Sequence, residues 1–238
     1  MKLKSSLLAL AAALFLPTAG ISADYEIGRS TYYLTSQQQS FADFPAPPAA
    51  GSKADLADLA VLKDWQARRT PEQCARAEAE SHASYLEFFG DISPFPAPIP
   101  EAAAAIFERV KNEADGTISG IKDRYKRPRP FHRDAALDPC LGRIGGLAYP
   151  SGHATLSHLY ALMLGDLVPS RKKEFLARAD EAALYRVIGG VHHPSDIEAG
   201  KKLADRLFRA YKKSPAFRSD METLRGLLTR KQPAAAVR

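Results

Sequence analysis

Two stretches of the chain repeat apolar residues at intervals of three and four. Leu156, Leu159, Tyr160, Met163, Leu164 and Leu167 form one stripe, and Ile197, Gly200, Ala204, Leu207, Phe208 and Tyr211 form the other. That spacing puts each set on one face of an α-helix, and no run alternates β-branched and polar residues as a half-buried strand would. The expected fold class is therefore all-α, a single-domain helical bundle. Thr70-Pro71-Glu72-Gln73 is a capping box with Pro at the first helical position, and Cys74, Ala77, Ser81, Tyr85 and Phe88 share a face after it, which predicts one helix over 71–89. Pro94, Pro96, Pro98 and Pro100 fall at every second position and exclude regular structure there. A further helix starts over Glu101 to Lys111, with weaker candidates at 172–187 and 219–229, and the pattern contains no internal repeat.

Lys2 and Lys4, the apolar stretch Leu7 to Leu16 and the small-residue run Pro17 to Ala23 have the layout of a secretory signal peptide. The apolar core is too short to span a bilayer, and no later segment is a spanning candidate. The expected organisation is a signal peptide at 1–23, an extended Pro-rich arm at 24–52 and a helical domain at 53–238, giving a soluble periplasmic or secreted product. Cys74 and Cys140 are compatible with one disulfide in such a compartment, or with two buried thiols; spacing alone decides neither.

A formal charge of +6 suggests nucleic acid or anionic membrane as partner. Its distribution does not. Lys122, Arg124, Lys126, Arg127, Arg129 and Arg133 crowd into twelve residues against one acid, Asp123, with only Tyr125 and Phe131 as aromatic neighbours. A groove for single strands interleaves bases with stacking aromatics over a longer reach, so a compact anion site is the better reading.

Three segments have the composition of such a site. Lys122 and Arg129 offer a point charge and a planar fork suited to a tetrahedral dianion, although a solvated basic surface would read the same way. Pro150-Ser151-Gly152-His153 precedes the helix at 154–167. Pro suits a first helical position, Gly152 permits close backbone approach, Ser151 adds a hydroxyl, and His153 places a titratable group beside N–H groups that favour anions. A plain helix cap with a packed His is the competing reading. In the third segment Pro194 starts a helix, so Asp196 in its first turn reaches back to one nitrogen of His192 and leaves the other free to attack, with Arg186 beside them.

Together these segments resemble the signature of the superfamily that unites bacterial class A non-specific acid phosphatases, type 2 phosphatidic acid phosphatases and vanadium-dependent haloperoxidases. That signature runs K-x6-R-P, P-S-G-H and S-R-x5-H-x3-D; here it reads Lys122, Arg129 and Pro130, then Pro150 to His153, then Arg186, His192 and Asp196. Tyr185 stands where the signature has Ser. His193 stands where these enzymes often have an aromatic residue, and is expected to alter the pocket wall. The Pro-rich arm near 44–48, Tyr125 to Phe131 and Ser214-Pro215-Ala216-Phe217 also look like the class A enzymes.

The resemblance implies a metal-independent acid phosphatase with no cofactor, acting on small phosphomonoesters, with phosphotransfer as a side activity. It implies His192 as nucleophile, His153 as acid and base, Asp196 as the group that orients His192, and Lys122, Arg129, Ser151, Gly152 and Arg186 as phosphate-binding residues. It also implies a homo-oligomer, for which Met221, Leu224, Leu227 and Leu228 would serve as interface or as core. The other readings are a vanadium haloperoxidase, a soluble lipid phosphatase and a catalytically silent anion-binding protein. His82, His132 and His158 are not spaced as a zinc set; His132 is a candidate for the pocket edge, and the other two for packing or surface.

Overall fold

The computed structural model describes residues 31–229, so the signal sequence expected at 1–23 lies outside the described residues. Every regular element among those residues is helical. The helices are α1 (Ser36–Gln39), α2 (Lys53–Arg68), α3 (Pro71–Ala79), α4 (Tyr85–Phe89), α5 (Glu101–Tyr125), α6 (Pro130–Arg133), α7 (Gly152–Leu167), α8 (Lys172–Ile188), α9 (Pro194–Tyr211) and α10 (Pro215–Thr229).

α7 is the axis of the bundle. Its apolar residues are not confined to one stripe: Ala154, Leu156, Leu159, Tyr160, Ala161, Met163 and Leu164 are all buried, and a helix apolar all round has to be enclosed. α8 and α9 pack along it, with α5 and α10 on further sides. Gly200 sets the approach of α9. A Cβ there would lie 2.7 Å from the Ser151 carbonyl oxygen and 2.9 Å from the Ala154 Cβ, so only glycine lets the two helix starts touch. Between α5, α7 and α4 the rings of Tyr85 and Phe107 stack with centroids 3.9 Å apart, and Phe107 meets Tyr160 edge-on. Met221 and Leu224 of α10 are buried in this core, and Leu227 and Leu228 pack against it.

The helix expected over 71–89 is two helices. α3 stops after Ala79, Ala83 takes a left-handed φ of +54°, and the Ser84 hydroxyl caps α4 by accepting from the Glu87 N–H. Ser84-x-x-Glu87 is thus a second start signal inside a continuous apolar pattern. The chain is held open at this break because the buried Glu80 carboxylate is bound by Arg178 of α8 at 2.5 Å and by Arg76 at 3.2 Å. Pro150 does not occupy the first helical position either: Ser151 is the cap, and α7 begins at Gly152.

The arm lies along the bundle, with α1 as its one helical turn. Buried Glu113 of α5 accepts from the backbone N–H groups of Tyr32, Tyr33 and Leu34 at 2.6, 2.8 and 2.9 Å. Further along, Arg124 donates to the Ser40 carbonyl at 2.6 Å, and the Tyr149 hydroxyl to that of Pro45 at 2.7 Å. Cys74 and Cys140 form a disulfide, with their Cα atoms 6.0 Å apart, which ties α3 to the 138–149 loop.

Candidate active site

A cavity of about 340 Å³ opens between the α3–α4 break, the end of α5, the start of α7, the end of α8 and the 138–149 loop. Its deep wall carries Lys122, Arg129, Gly152, His153, Arg186 and His192; its other lining residues are Glu78, Ser81, Leu141 and Ile144. Five of the eight residues singled out in the sequence as catalytic or phosphate-binding groups are thus cavity-wall side chains, and Gly152 adds backbone.

Each comes from an element end. Lys122 lies in the last turn of α5, which Lys126 terminates in a left-handed conformation with φ +46°. Arg129 precedes the short α6. Gly152 and His153 are the first two residues of α7, where backbone N–H groups have no acceptor within the helix. Arg186 is in the last turn of α8; Gly190, with φ +78°, then turns the chain so that His192 faces back towards it. A Cβ on Gly190 would lie 3.0 Å from the Pro139 backbone, so the turn also fits close against the loop.

Charge in this cavity is lopsided. Lys122 donates to the Leu147 carbonyl at 2.7 Å, and burial followed by repulsion from Arg129 brings its pKa down to about 8, which leaves it cationic at neutral and acidic pH. Arg129 donates to the Val191 carbonyl at 3.0 Å and to that of Gly145 at 3.2 Å, but its Nε is buried without an acceptor. Arg186 is the extreme case. It is 3% exposed, and both Nε and Nη1 are buried with no partner. Unpaired guanidinium donors cost several kcal/mol when kept from water, roughly as for other buried ionic groups, so these three cations fit an anion that bonds to them.

His192 is 2% exposed, and its Nε2 lies 2.8 Å from Arg129 Nη1, which places the Nε2 lone pair towards the guanidinium. Burial, and then Arg129, push its pKa well below the ordinary histidine range, which favours the neutral ring. Its Nδ1 is 3.5 Å from Asp196 Oδ2, longer than a formed hydrogen bond. Asp196 is bonded more closely to others: Oδ2 accepts from the backbone N–H of His193 at 2.7 Å and lies 2.9 Å from His193 Nδ1, while Oδ1 accepts from Arg127 at 2.6 Å. Burial works against the Asp196 carboxylate, but the two histidines hold its pKa below the usual range. His153 turns its Nε2 to the Glu80 carbonyl oxygen at 2.9 Å, and burial together with Arg186 lowers its pKa to about 3.

Two side chains sit behind the cavity wall. Ser151 is fully buried, its hydroxyl accepts from the Ala154 N–H at 3.4 Å, and its own N–H donates to the Asp196 carbonyl at 3.0 Å. Asp196 is likewise fully buried behind His192.

His193 does not form the pocket wall expected of it. It is fully buried, caps α9 and faces Asp196. Tyr185 also lies off the cavity, with its hydroxyl 3.4 Å from Glu181. His132 is exposed beside Phe131, His82 pairs with Glu87, and His158 with Asp205.

Arg127 is the residue that sequence reasoning missed. Buried to 5% exposure, it binds Asp196, Asp55 at 3.1 Å, Asp58 at 3.0 Å and the Ser195 hydroxyl at 2.7 Å, joining α2 to the start of α9. Nothing in a run of six bases distinguishes it. Its aspartate partners lie about 70 residues away in sequence.

The model of the PAP2 superfamily matches residues 110–211, the span that contains Lys122, Arg129, Ser151, Gly152, His153, Arg186, His192 and Asp196. Over that span the chain is similar to the PAP2 superfamily. The chain is 26% identical to a non-specific acid phosphatase of Providencia stuartii, over 80% of this chain and 82% of that one. It is 29% identical to an acid phosphatase of Zymomonas mobilis, over 87% of this chain and 81% of the other. The PAP2 fold also links it to the crystal structure of a transmembrane PAP2-type phosphatidylglycerolphosphate phosphatase from Bacillus subtilis. That match has a TM-score of 0.50 at 19% identity, covering 68% of this chain and 87% of that one. No helix among the described residues is long and apolar enough to cross a membrane.

Proposed function

We propose that this chain is a phosphoric monoester hydrolase, an exported acid phosphatase that works through a phosphohistidine on His192. The observation that carries the reading is the trio of Lys122, Arg129 and Arg186 around one small cavity, with buried guanidinium donors that lack acceptors. A phosphoryl group supplies the missing oxygens, and phosphoryl transfer depends chiefly on such positioning and charge stabilisation. The names of the acid phosphatase relatives point the same way. Three cations meet the charge of the dianion, so the step runs without a metal.

When an ester binds, Arg129 shifts its Nη1 contact from His192 to a phosphoryl oxygen and frees the Nε2 lone pair. Nε2 forms a bond to phosphorus as the bond to the ester oxygen breaks, and His153, protonated on Nδ1 when the dianion binds, gives that oxygen its proton. Asp196 balances the charge that His192 gains. Water then gives a proton to His153 and attacks phosphorus, and the P–N electrons return to Nε2. An alcohol in place of water gives phosphotransfer. The lowered pKa of His192 favours the unprotonated ring that the attack needs. Export rests on the layout of residues 1–23.

The test is a rapid quench into alkaline detergent with a radiolabelled phosphomonoester in the presence of chelator. Label should be retained as an acid-labile, alkali-stable phosphoenzyme that His192→Ala does not form, with p-nitrophenyl phosphate turnover reduced at least about 10⁴-fold. Full turnover by that variant removes His192 as nucleophile. Vanadate-dependent bromination without hydrolysis would move the chain to haloperoxidase chemistry.

A further inference from the structure

The cavity wall is not made of cations alone. Besides the cationic cradle, its wall is built from Glu78 and Ser81, on and after α3, and from Leu141 and Ile144 on the 138–149 loop. The Cys74–Cys140 disulfide joins these two walls: Cys74 is one helical turn before Glu78, and Cys140 adjoins Leu141.

In-line transfer from His192 puts the leaving oxygen on the far side of phosphorus, towards its proton donor. His153 is anchored there on the Glu80 carbonyl, in the α3–α4 break that also holds Ser81. The alcohol portion of the ester must therefore emerge between Glu78 and Ser81 on one side and Leu141 and Ile144 on the other. Glu78 is exposed, and no ion pair involves it among the described residues, so its charge is available to a ligand. Arg186 feels that charge from the cradle.

Resting on the phosphatase reading, we propose that Glu78 determines leaving-group specificity. It favours phosphomonoesters whose alcohol bears a cationic group beside a short apolar stretch, such as aminoalkyl phosphates, and disfavours alcohols that bear a second anion. The half-buried Leu141 and Ile144 side chains take the methylenes, and Glu78 takes the ammonium.

The test is the ratio of kcat/KM for O-phosphoethanolamine to that for 3-phosphoglycerate, measured at pH 5.5 with the full chain. The wild type is expected to prefer phosphoethanolamine by about tenfold or more, and the ratio should fall as ionic strength rises from about 0.02 to 0.5 M. Glu78→Gln should lower the ratio about five- to tenfold and Glu78→Lys should invert it. Orthovanadate inhibition of each variant reports that the cradle has folded. A ratio within about twofold of wild type in both variants, or one insensitive to salt, overturns the proposal and leaves the phosphatase reading intact. Hydrolysis of neither ester, nor of p-nitrophenyl phosphate, overturns both.

Discussion

His153 and Glu80 meet at a point where a helix fails to continue: the Nε2 of His153 is 2.9 Å from the Glu80 carbonyl oxygen. In an unbroken helix that oxygen would accept from the N–H four residues on. The break at 80–84 releases it, and the contact fixes which nitrogen of His153 holds its proton, leaving Nδ1 outside that bond.

The same ring predicts a linkage between anion binding and protons. Burial and Arg186 hold the pKa of His153 near 3, and a dianion beside Arg186 and Arg129 opposes that repulsion and raises it. A ligand that raises a pKa binds with proton uptake. Sulfate, a dianion throughout, should therefore bind more tightly at pH 5 than at pH 7, where Lys122 with its pKa near 8 is still mostly charged. Calorimetry in buffers of different ionisation enthalpy should show the uptake, and His153→Asn should flatten it.

Stability of the anion-free protein should run the other way. A histidine whose folded pKa lies below its unfolded value near 6.5 disfavours the folded state once the unfolded chain begins to protonate. That cost grows as pH falls from about 6.5 towards 3. His192 adds to it in the same direction. Urea midpoints should drop across this window, and His153→Asn should remove part of the slope.

Arg186 should be irreplaceable by lysine. Its Nε and Nη1 are the buried donors without acceptors, and an ammonium cannot reproduce the fixed planar spread of guanidinium donors. Arg186→Ala and Arg186→Lys should each weaken vanadate inhibition by about 30-fold or more, a loss of roughly 2 kcal/mol, as for charged hydrogen bonds elsewhere. Recovery of wild-type inhibition by lysine would show that charge alone suffices.

Arg127 should matter for stability as much as for activity. Replacing it with leucine leaves Asp55, Asp58 and Asp196 buried together, although Arg133 still pairs with Asp55. Removing one partner of a buried ionic cluster costs about 3–5 kcal/mol. Equilibrium urea unfolding measures this, and a change below about 1 kcal/mol would mean that the network adds little.

Gly200→Ala separates the packing of α9 from helix propensity. Its methyl would press on the Ser151 carbonyl at 2.7 Å and push α9 off the start of α7. A loss of about 1–3 kcal/mol is expected, despite the intrinsic helical advantage of alanine. Turnover should fall as well, because the displaced helix carries Asp196. Gly226→Ala, whose Cβ would have nothing within 4 Å, is the control and should be neutral or slightly stabilising.

Much of the site was legible because its residues act in short local units. Lys122 and Arg129, Ser151 to His153, and Arg186 to Asp196 each span a few residues around a helix end, where caps, glycine turns and proline leave a pattern in the chain. The helix over 71–89 was misread because an apolar face runs on past Ala79, and periodicity does not register a break enforced by the Glu80 pairs with Arg178 and Arg76. His193 was misplaced for a related reason. Its orientation follows from Asp196, which turns it inward as a cap, and adjacency to His192 carries no information about direction.

By itself the sequence determined the helical class, the helix ends and the chemical types at the site, since each depends on interactions within about four residues. Tertiary structure alone decided the rest. It brought three repelling cations around one cavity, gave Arg127 its three aspartates, made α7 the enclosed axis, and put Glu78, Leu141 and Ile144 on the wall of that cavity. Those outcomes depend on burial and on partners distant in the chain, and a local pattern encodes neither.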